Sequence, residues 1–200
     1  HLNQQGALVH VYTDGTIHLS HGGSEMGQGL NTKVAQIVAE EFQVDVDTVA
    51  CSAARTDKVP NSSPTAASAG TDLNGKAAEA AAKTIKNRLI DFACEKYGVE
   101  AEQVQFENNN VIVGEQTFSF AEFSQIAYMG RVSLSSTGFY KTPKIHYDRA
   151  TGKGRPFFYY ATGAAVSEVL IDTLTGEYKN LRTDILQDVG HSINPAIDIG

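Results

Sequence analysis

Gly22-Gly23-Ser24-Glu25-Met26-Gly27-Gln28-Gly29 sets four glycines and a glutamine between an apolar strand region (Ala7 to Ser20) and an amphipathic helix (Asn31 to Phe42). Glycine has no Cβ, so its backbone can approach a ligand closely. A second stretch, Asn61-Ser62-Ser63-Pro64-Thr65-Ala66-Ala67-Ser68-Ala69-Gly70-Thr71, places small and hydroxylated residues just ahead of another helix. Helix N-termini present unpaired N–H groups and the positive end of the dipole, which suits phosphates and other anions. The two segments are expected to fold toward each other as two sides of a site for a large, polar, phosphate-bearing cofactor.

Outward from the first segment the period alternates. Ala7 to Tyr12, the turn Thr13-Asp14-Gly15 and Thr16 to Ser20 form a hairpin signalled by Asp-Gly. Val34, Ile37, Val38 and Phe42 give a helical stripe broken only by Glu41. Val49 to Ala53 is a short strand. Asp72 to Tyr97 is the longest helix, with Leu73, Ala77, Ala81, Ile85, Leu89 and Phe92 on one face and Gly98 as its stop. Gly75 costs about 1 kcal/mol against alanine there, which moves the expected start past it. Val104 to Phe118 reads as a small hairpin array, and Ser119-Phe120-Ala121-Glu122 as a capping box opening a short helix that ends at Gly130. Strands are expected at 132–137, 157–170 and 177–188, a long solvated loop from Lys141 to Pro156, and a helix capped by Asn194 with Pro195 at its first position. Phe157, Phe158, Tyr159 and Tyr160 read as core and sheet packing. Helices separated by hairpins favour an α+β fold with mixed β-sheets and packed helices. A subdomain boundary is expected near 98–110.

Composition excludes several classes. With 42% hydrophobic and 20% charged residues the chain can bury a core. A formal charge of −7 argues against nucleic acid. No apolar run approaches the roughly 20 residues of a membrane span. Cys51 and Cys94 make neither a disulfide framework nor a zinc cluster and fit a reducing cytoplasm. The six histidines are scattered, so a metal held by side chains is not expected. The chain reads as a fragment: it opens on His1, and Ser192 to Gly200 begins a helix or turn and stops.

Five blocks, in one order over nearly the whole chain, carry a resemblance: Gly22 to Gly29, Asn61 to Gly75, Ser133 to Pro143, Gly163 to Val169, and Gln187 to Gly200. They resemble the molybdenum hydroxylases, and within them the molybdopterin-binding part of the xanthine dehydrogenases. Thr137 to Pro143 followed by Phe157-Phe158-Tyr159-Tyr160 looks more like that subfamily than like aldehyde oxidases or carbon monoxide dehydrogenases. The resemblance implies hydroxylation of a purine such as hypoxanthine or xanthine at a molybdenum centre held by a pterin dithiolene. Electrons would leave through 2Fe-2S clusters to FAD and NAD in other parts of the enzyme. The implied partners are an iron–sulfur/flavin subunit or domain and the purine substrate, in a cytoplasmic homo-oligomer with no nucleic acid and no membrane.

Residue by residue, the resemblance places Gly27 and Gln28 against the pterin and its phosphate. Ala67 falls where the backbone passes beside the molybdenum, and Ser68 and Thr71 where hydroxyls bind the cofactor's phosphate. Ala69 and Gly70 depart from relatives with bulkier or hydroxylated residues, which leaves Gly70 only its N–H as a donor. The family's base, a glutamate in a Gly-rich motif, is expected beyond residue 200, and the purine-orienting residues upstream of residue 1. No catalytic residue is therefore assigned here, and the isolated chain is expected to be inactive. Glu25 reads as a carboxylate serving a helix N-terminus. Glu168, Asp184 and Asp188 lie in strands without an assigned role; Arg131 or Arg182 is the expected partner of Glu168. Two other readings remain open, an aldehyde or other N-heterocycle oxidoreductase of the same family and a non-catalytic module without cofactor.

Overall fold

The Asp-Gly turn closes through the aspartate: Asp14 Oδ1 accepts hydrogen bonds from the Thr16 N–H at 2.9 Å and from its hydroxyl at 2.6 Å. The structure, a computed structural model, describes residues 3–199. Around that turn β1 (Gln4–Val11) and β2 (Ile17–His21) pair antiparallel, with Leu8 opposite Ser20 and Val11 opposite Ile17. β3 (Val49–Cys51) joins β2 in parallel and β7 (Ser135–Lys141) joins β1 antiparallel, which gives a sheet of order β3-β2-β1-β7.

Two helices cover one face of this sheet, α1 (Leu30–Phe42) and α2 (Gly70–Tyr97). The core between them is the one the periodicity predicts. Val9, Val11, Ile17 and Leu19 meet Val34, Val38 and Phe42 from α1 and Ala77, Ala81, Ile85 and Leu89 from α2, all buried. Each large aliphatic among them contributes about 1.5–3 kcal/mol of apolar burial. The break in the α1 stripe has a partner: Glu41 Oε1 lies 3.4 Å from Lys86 Nζ on α2, which also donates to the Glu41 carbonyl at 2.7 Å. α2 does not start after Gly75 but at Gly70. A Cβ on Gly75 would stand 2.5 Å from Ile37 Cδ1, so glycine's cost in the helix is offset by the close approach of α1.

A three-stranded meander follows, β4 (Val104–Glu107), β5 (Asn110–Val113) and β6 (Gln116–Ser119), and leads into α3 (Phe120–Met129). Asn108 and Asn109, both at positive φ, make its first turn. The capping box is formed: Glu122 N–H donates to Ser119 Oγ at 3.2 Å and Ser119 N–H to Glu122 Oε2 at 2.8 Å. Phe120 packs on Phe42 with ring centroids 5.4 Å apart and so fastens α3 to α1. The 98–110 segment lies within this part of the chain.

The chain divides into two compact units, residues 1–143 and 144–200. The second contains the hairpin β8 (His146–Asp148) and β9 (Lys153–Arg155), the long hairpin β10 (Thr162–Ile171) and β11 (Tyr178–Asp188), and the single turn α4 (Pro195–Asp198). β8 and β9 lie inside the stretch expected to be an unstructured loop; the Asp148 carboxylate, accepting from the Ala150 N–H and the Thr151 hydroxyl, shapes the turn between them. Phe157 to Tyr160, expected in the core, precede β10 and are exposed; within their own unit, among the described residues, the two-stranded β10–β11 ribbon supplies no second layer to cover them. Glu168 is exposed too. It faces Arg182 in register, while the Arg182 guanidinium bonds Asp184 at 2.7 Å. Asn194 caps α4 as expected, its Oδ1 accepting from the Ile197 N–H at 3.2 Å. Among the described residues no helix is long and apolar enough to cross a membrane.

Candidate functional site

The two small-residue segments belong to the first unit and meet there. The first leaves β2 at His21 and enters α1 at Leu30; the second bonds the start of β1 through Ser63 and enters α2 at Gly70. Ser24 N–H donates to Thr65 Oγ1 at 2.8 Å, which joins one segment to the other. Gln5 on β1 anchors the second from below through its Nε2, donating to the Ser63 carbonyl at 2.8 Å. Gly23 lies so close to α2 that a Cβ would stand 2.8 Å from Asn74 Nδ2, and Leu30 packs against the place where a Gly70 Cβ would be, at 3.3 Å. The two segments therefore converge through Ser24 and Thr65, and the Leu30 side chain packs between Gly23 and Gly70.

The first segment closes on itself. Glu25 Oε1 accepts from the Gly27 N–H at 2.9 Å and the Gly29 N–H at 3.1 Å, and Oε2 accepts from the Asn31 N–H at 2.9 Å. These backbone bonds hold its carboxyl below the usual range. The start of α1 thus already has its anion. Gln28 turns inward: its Oε1 accepts from the Met26 N–H at 2.6 Å and its Nε2 donates to the Ser24 carbonyl at 3.0 Å. One amide hydrogen and one lone pair remain for a ligand. Gly27, at φ 98°, is exposed with nothing within 4 Å of its missing Cβ.

The second segment is open. Ala67 and Ser68 both stand at φ 55°, a left-handed conformation that costs a non-glycine residue about 1–2 kcal/mol. Ala69 precedes α2 and gives it no side-chain cap. Among the described residues the N–H groups of Gly70 and Thr71 and the hydroxyls of Ser68 and Thr71 have no hydrogen-bond partner. A 28-residue helix therefore presents its positive end beside two free hydroxyls. These groups suit a phosphate; Ala67 and Ser68, both exposed, form the rim. The residues present fit an anionic cofactor at the second segment, and they fit it at the first only through Gly27 and the remaining capacity of Gln28.

Periodicity and motif reading assign no role to His21, Asn74 or Thr65, although Thr65 and Asn74 lie in the 61–75 block. A polar residue inside the apolar stripe of α2 was the available signal for Asn74, which is 1% exposed, as is His21. Cys51, half-buried at the end of β3, has its thiol pushed up to about 11 by burial, so it is held protonated. No group of three or more His, Cys, Asp or Glu is arranged to hold a metal ion among the described residues.

A mixed sheet backed by two helices, with a strained, uncapped helix start stitched to a glycine-rich loop, defines a scaffold whose backbone donors suit an anionic group. The chain belongs to the molybdopterin cofactor-binding domain family, which it matches over residues 1–200. It is 50% identical over 202 residues to a xanthine dehydrogenase of Dictyostelium discoideum and 49% identical over 199 residues to a xanthine dehydrogenase/oxidase of Felis catus. Each match covers 100% of this chain but 14% of the relative, so the chain spans about one seventh of the curated proteins it matches. Among solved structures it is similar to a Cu,Mo-CO dehydrogenase, with TM-score 0.78, 25% identity, and coverage of 96% of this chain and 24% of that one. The quinoline 2-oxidoreductase of Pseudomonas putida 86 shares the fold at TM-score 0.79 and 22% identity, over 98% of this chain and 25% of that one. The α+β fold with mixed sheets and packed helices is thus that of molybdenum hydroxylases.

Proposed function

We propose that this chain supplies two cofactor-holding segments of a molybdenum hydroxylase of the xanthine dehydrogenase type, which hydroxylates purines such as hypoxanthine and xanthine. The carrying observation is the open start of α2, where two backbone N–H groups and two hydroxyls lack partners among the described residues, with the glycine-rich segment bonded to Thr65 just upstream. Gly70 and Thr71 N–H and the Ser68 and Thr71 hydroxyls bind the cofactor's phosphate. Gly27 and the free amide capacity of Gln28 lie against the pterin, and Ala67 brings bare backbone beside the molybdenum. When bound, the molybdopterin supplies a redox-active Lewis acid at which the purine carbon is hydroxylated. The chain's own part is to neutralise phosphate, fix orientation and keep bulk away from the metal. Iron–sulfur, FAD and NAD sites belong to other parts of the enzyme or to a partner subunit, in a cytoplasmic homo-oligomer. No residue of this chain is assigned the base, and the isolated chain does not turn over purine.

The test uses full-length protein made with ample cofactor. Molybdenum content and xanthine-dependent NAD reduction should both be present, and Ser68→Ala with Thr71→Ala should lower molybdenum content about tenfold or more, the loss expected when two hydrogen bonds to a charged group disappear. Full molybdenum content in the double variant, or a wild-type protein without molybdenum, overturns the assignment.

A further inference from the structure

The geometry points to His21 and Asn74 as positioning residues that clamp the glycine-rich segment onto the start of α2 and so fix the spacing between the two cofactor-holding segments. This rests on the functional reading above. His21 is the last residue of β2 and is 1% exposed; its Nδ1 accepts the Gly23 N–H at 3.1 Å. An imidazole that accepts at Nδ1 carries its hydrogen on Nε2 when neutral. Burial drives the ring toward that neutral form. From the other side Asn74 Nδ2 donates to the Gly70 carbonyl at 2.8 Å, which leaves Oδ1 as an acceptor. Asn74, on α2, lies beside Gly23, two residues along from His21, and the amides of Asn74 and of Asn31 on α1 both act electrostatically on the His21 ring.

His21 Nε2 and Asn74 Oδ1 are buried, and neither makes a hydrogen bond, to the other or to any other group, among the described residues. One is a donor without an acceptor and the other an acceptor without a donor. A small side-chain adjustment that brings the two within hydrogen-bond distance would let each relieve the other's desolvation. The chain of groups then runs Gly23 N–H, His21, Asn74, Gly70 carbonyl, from one segment to the other. It places Gly23 and Gly70 by polar contacts, whereas the Leu30 side chain between them supplies only packing. Because Gly23 abuts the Asn74 amide directly, a shift of either segment is transmitted to the other.

The experiment is hydrogen exchange on the cofactor-free full-length protein, read beside molybdenum content after loading. His21→Leu and Asn74→Leu should each raise exchange in both 22–29 and 61–71 by about tenfold, the effect of one lost buried hydrogen bond. Exchange in the 104–129 region should stay unchanged, and molybdenum content should fall. His21→Gln, which keeps one acceptor and one donor on a single side chain, should restore most of both readouts. Loosening confined to the segment that carries the substitution overturns the clamp, and so does loosening that spreads evenly through 104–129. If both segments loosen while molybdenum content holds, the clamp stands and the cofactor assignment is what fails.

Discussion

The starts of α1 and α2 are built to opposite plans although both follow runs of small residues. At α1 the protein supplies its own anion: Glu25 takes three backbone N–H groups and Gln28 ties the rest of the loop. At α2 no side chain caps the helix, two residues in a row are left-handed, and the donors are open. A glycine-rich loop ahead of a helix is therefore not by itself a phosphate site. What decides is whether the sequence has already placed a carboxylate there. Relaxed and self-sufficient on one side, strained and unsatisfied on the other, the pair divides support from reception.

The largest expected effect tests the support. Gly23→Ala places a Cβ 2.5 Å from Leu30 Cδ2 and 2.8 Å from Asn74 Nδ2; it should cost about 1–3 kcal/mol in chemical denaturation, and an unchanged midpoint would mean the segments are not pinned. A pair of changes with opposite signs comes next. Gly27→Ala at φ 98° should destabilise, and Ala67→Gly at φ 55° should stabilise, each by about 1 kcal/mol. Two shifts of the same sign would erase the contrast in strain. Smaller still, Glu25→Gln should cost about 0.5 kcal/mol, since the carboxylate is largely exposed and solvent screens it. Backbone bonds depress the Glu25 pKa in the folded state. Its contribution is thus complete above the ordinary carboxylate range and fades as pH falls through the depressed value. Thermal melts of wild type and Glu25→Gln should accordingly converge in acid; a gap that widens there refutes the capping role. The smallest change serves as a control: Lys76→Ala, which removes a surface pair with Glu79 at 2.6 Å, should move stability by less than about 0.5 kcal/mol.

Much of this fold is written in local pattern. The Asp-Gly hairpin, the apolar faces of α1 and α2, the Ser119 capping box and the Asn194-Pro195 start all follow from spacing and propensity, which act within a few residues. So does the reading of Glu25. What local pattern does not carry is the neighbour that arrives from far along the chain. Gly75 looks like a cost that pushes the helix start past it until Ile37 of α1 is seen against it. Glu41 looks like a flaw in a stripe until Lys86 arrives. Phe157 to Tyr160 read as core because aromatic runs usually find a second layer, and the β10–β11 ribbon has none. The site divides in the same way: the two segments stand out by composition, whereas the His21–Asn74 connection joins residues 53 positions apart in the numbering.

Glu25 also gives the site a direction. A carboxylate fixed at the start of α1 repels a group of like sign there, while the positive end of α2 attracts one. A molecule charged at one end and neutral at the other would therefore turn its anionic end toward α2, so polarity rather than shape would set its orientation.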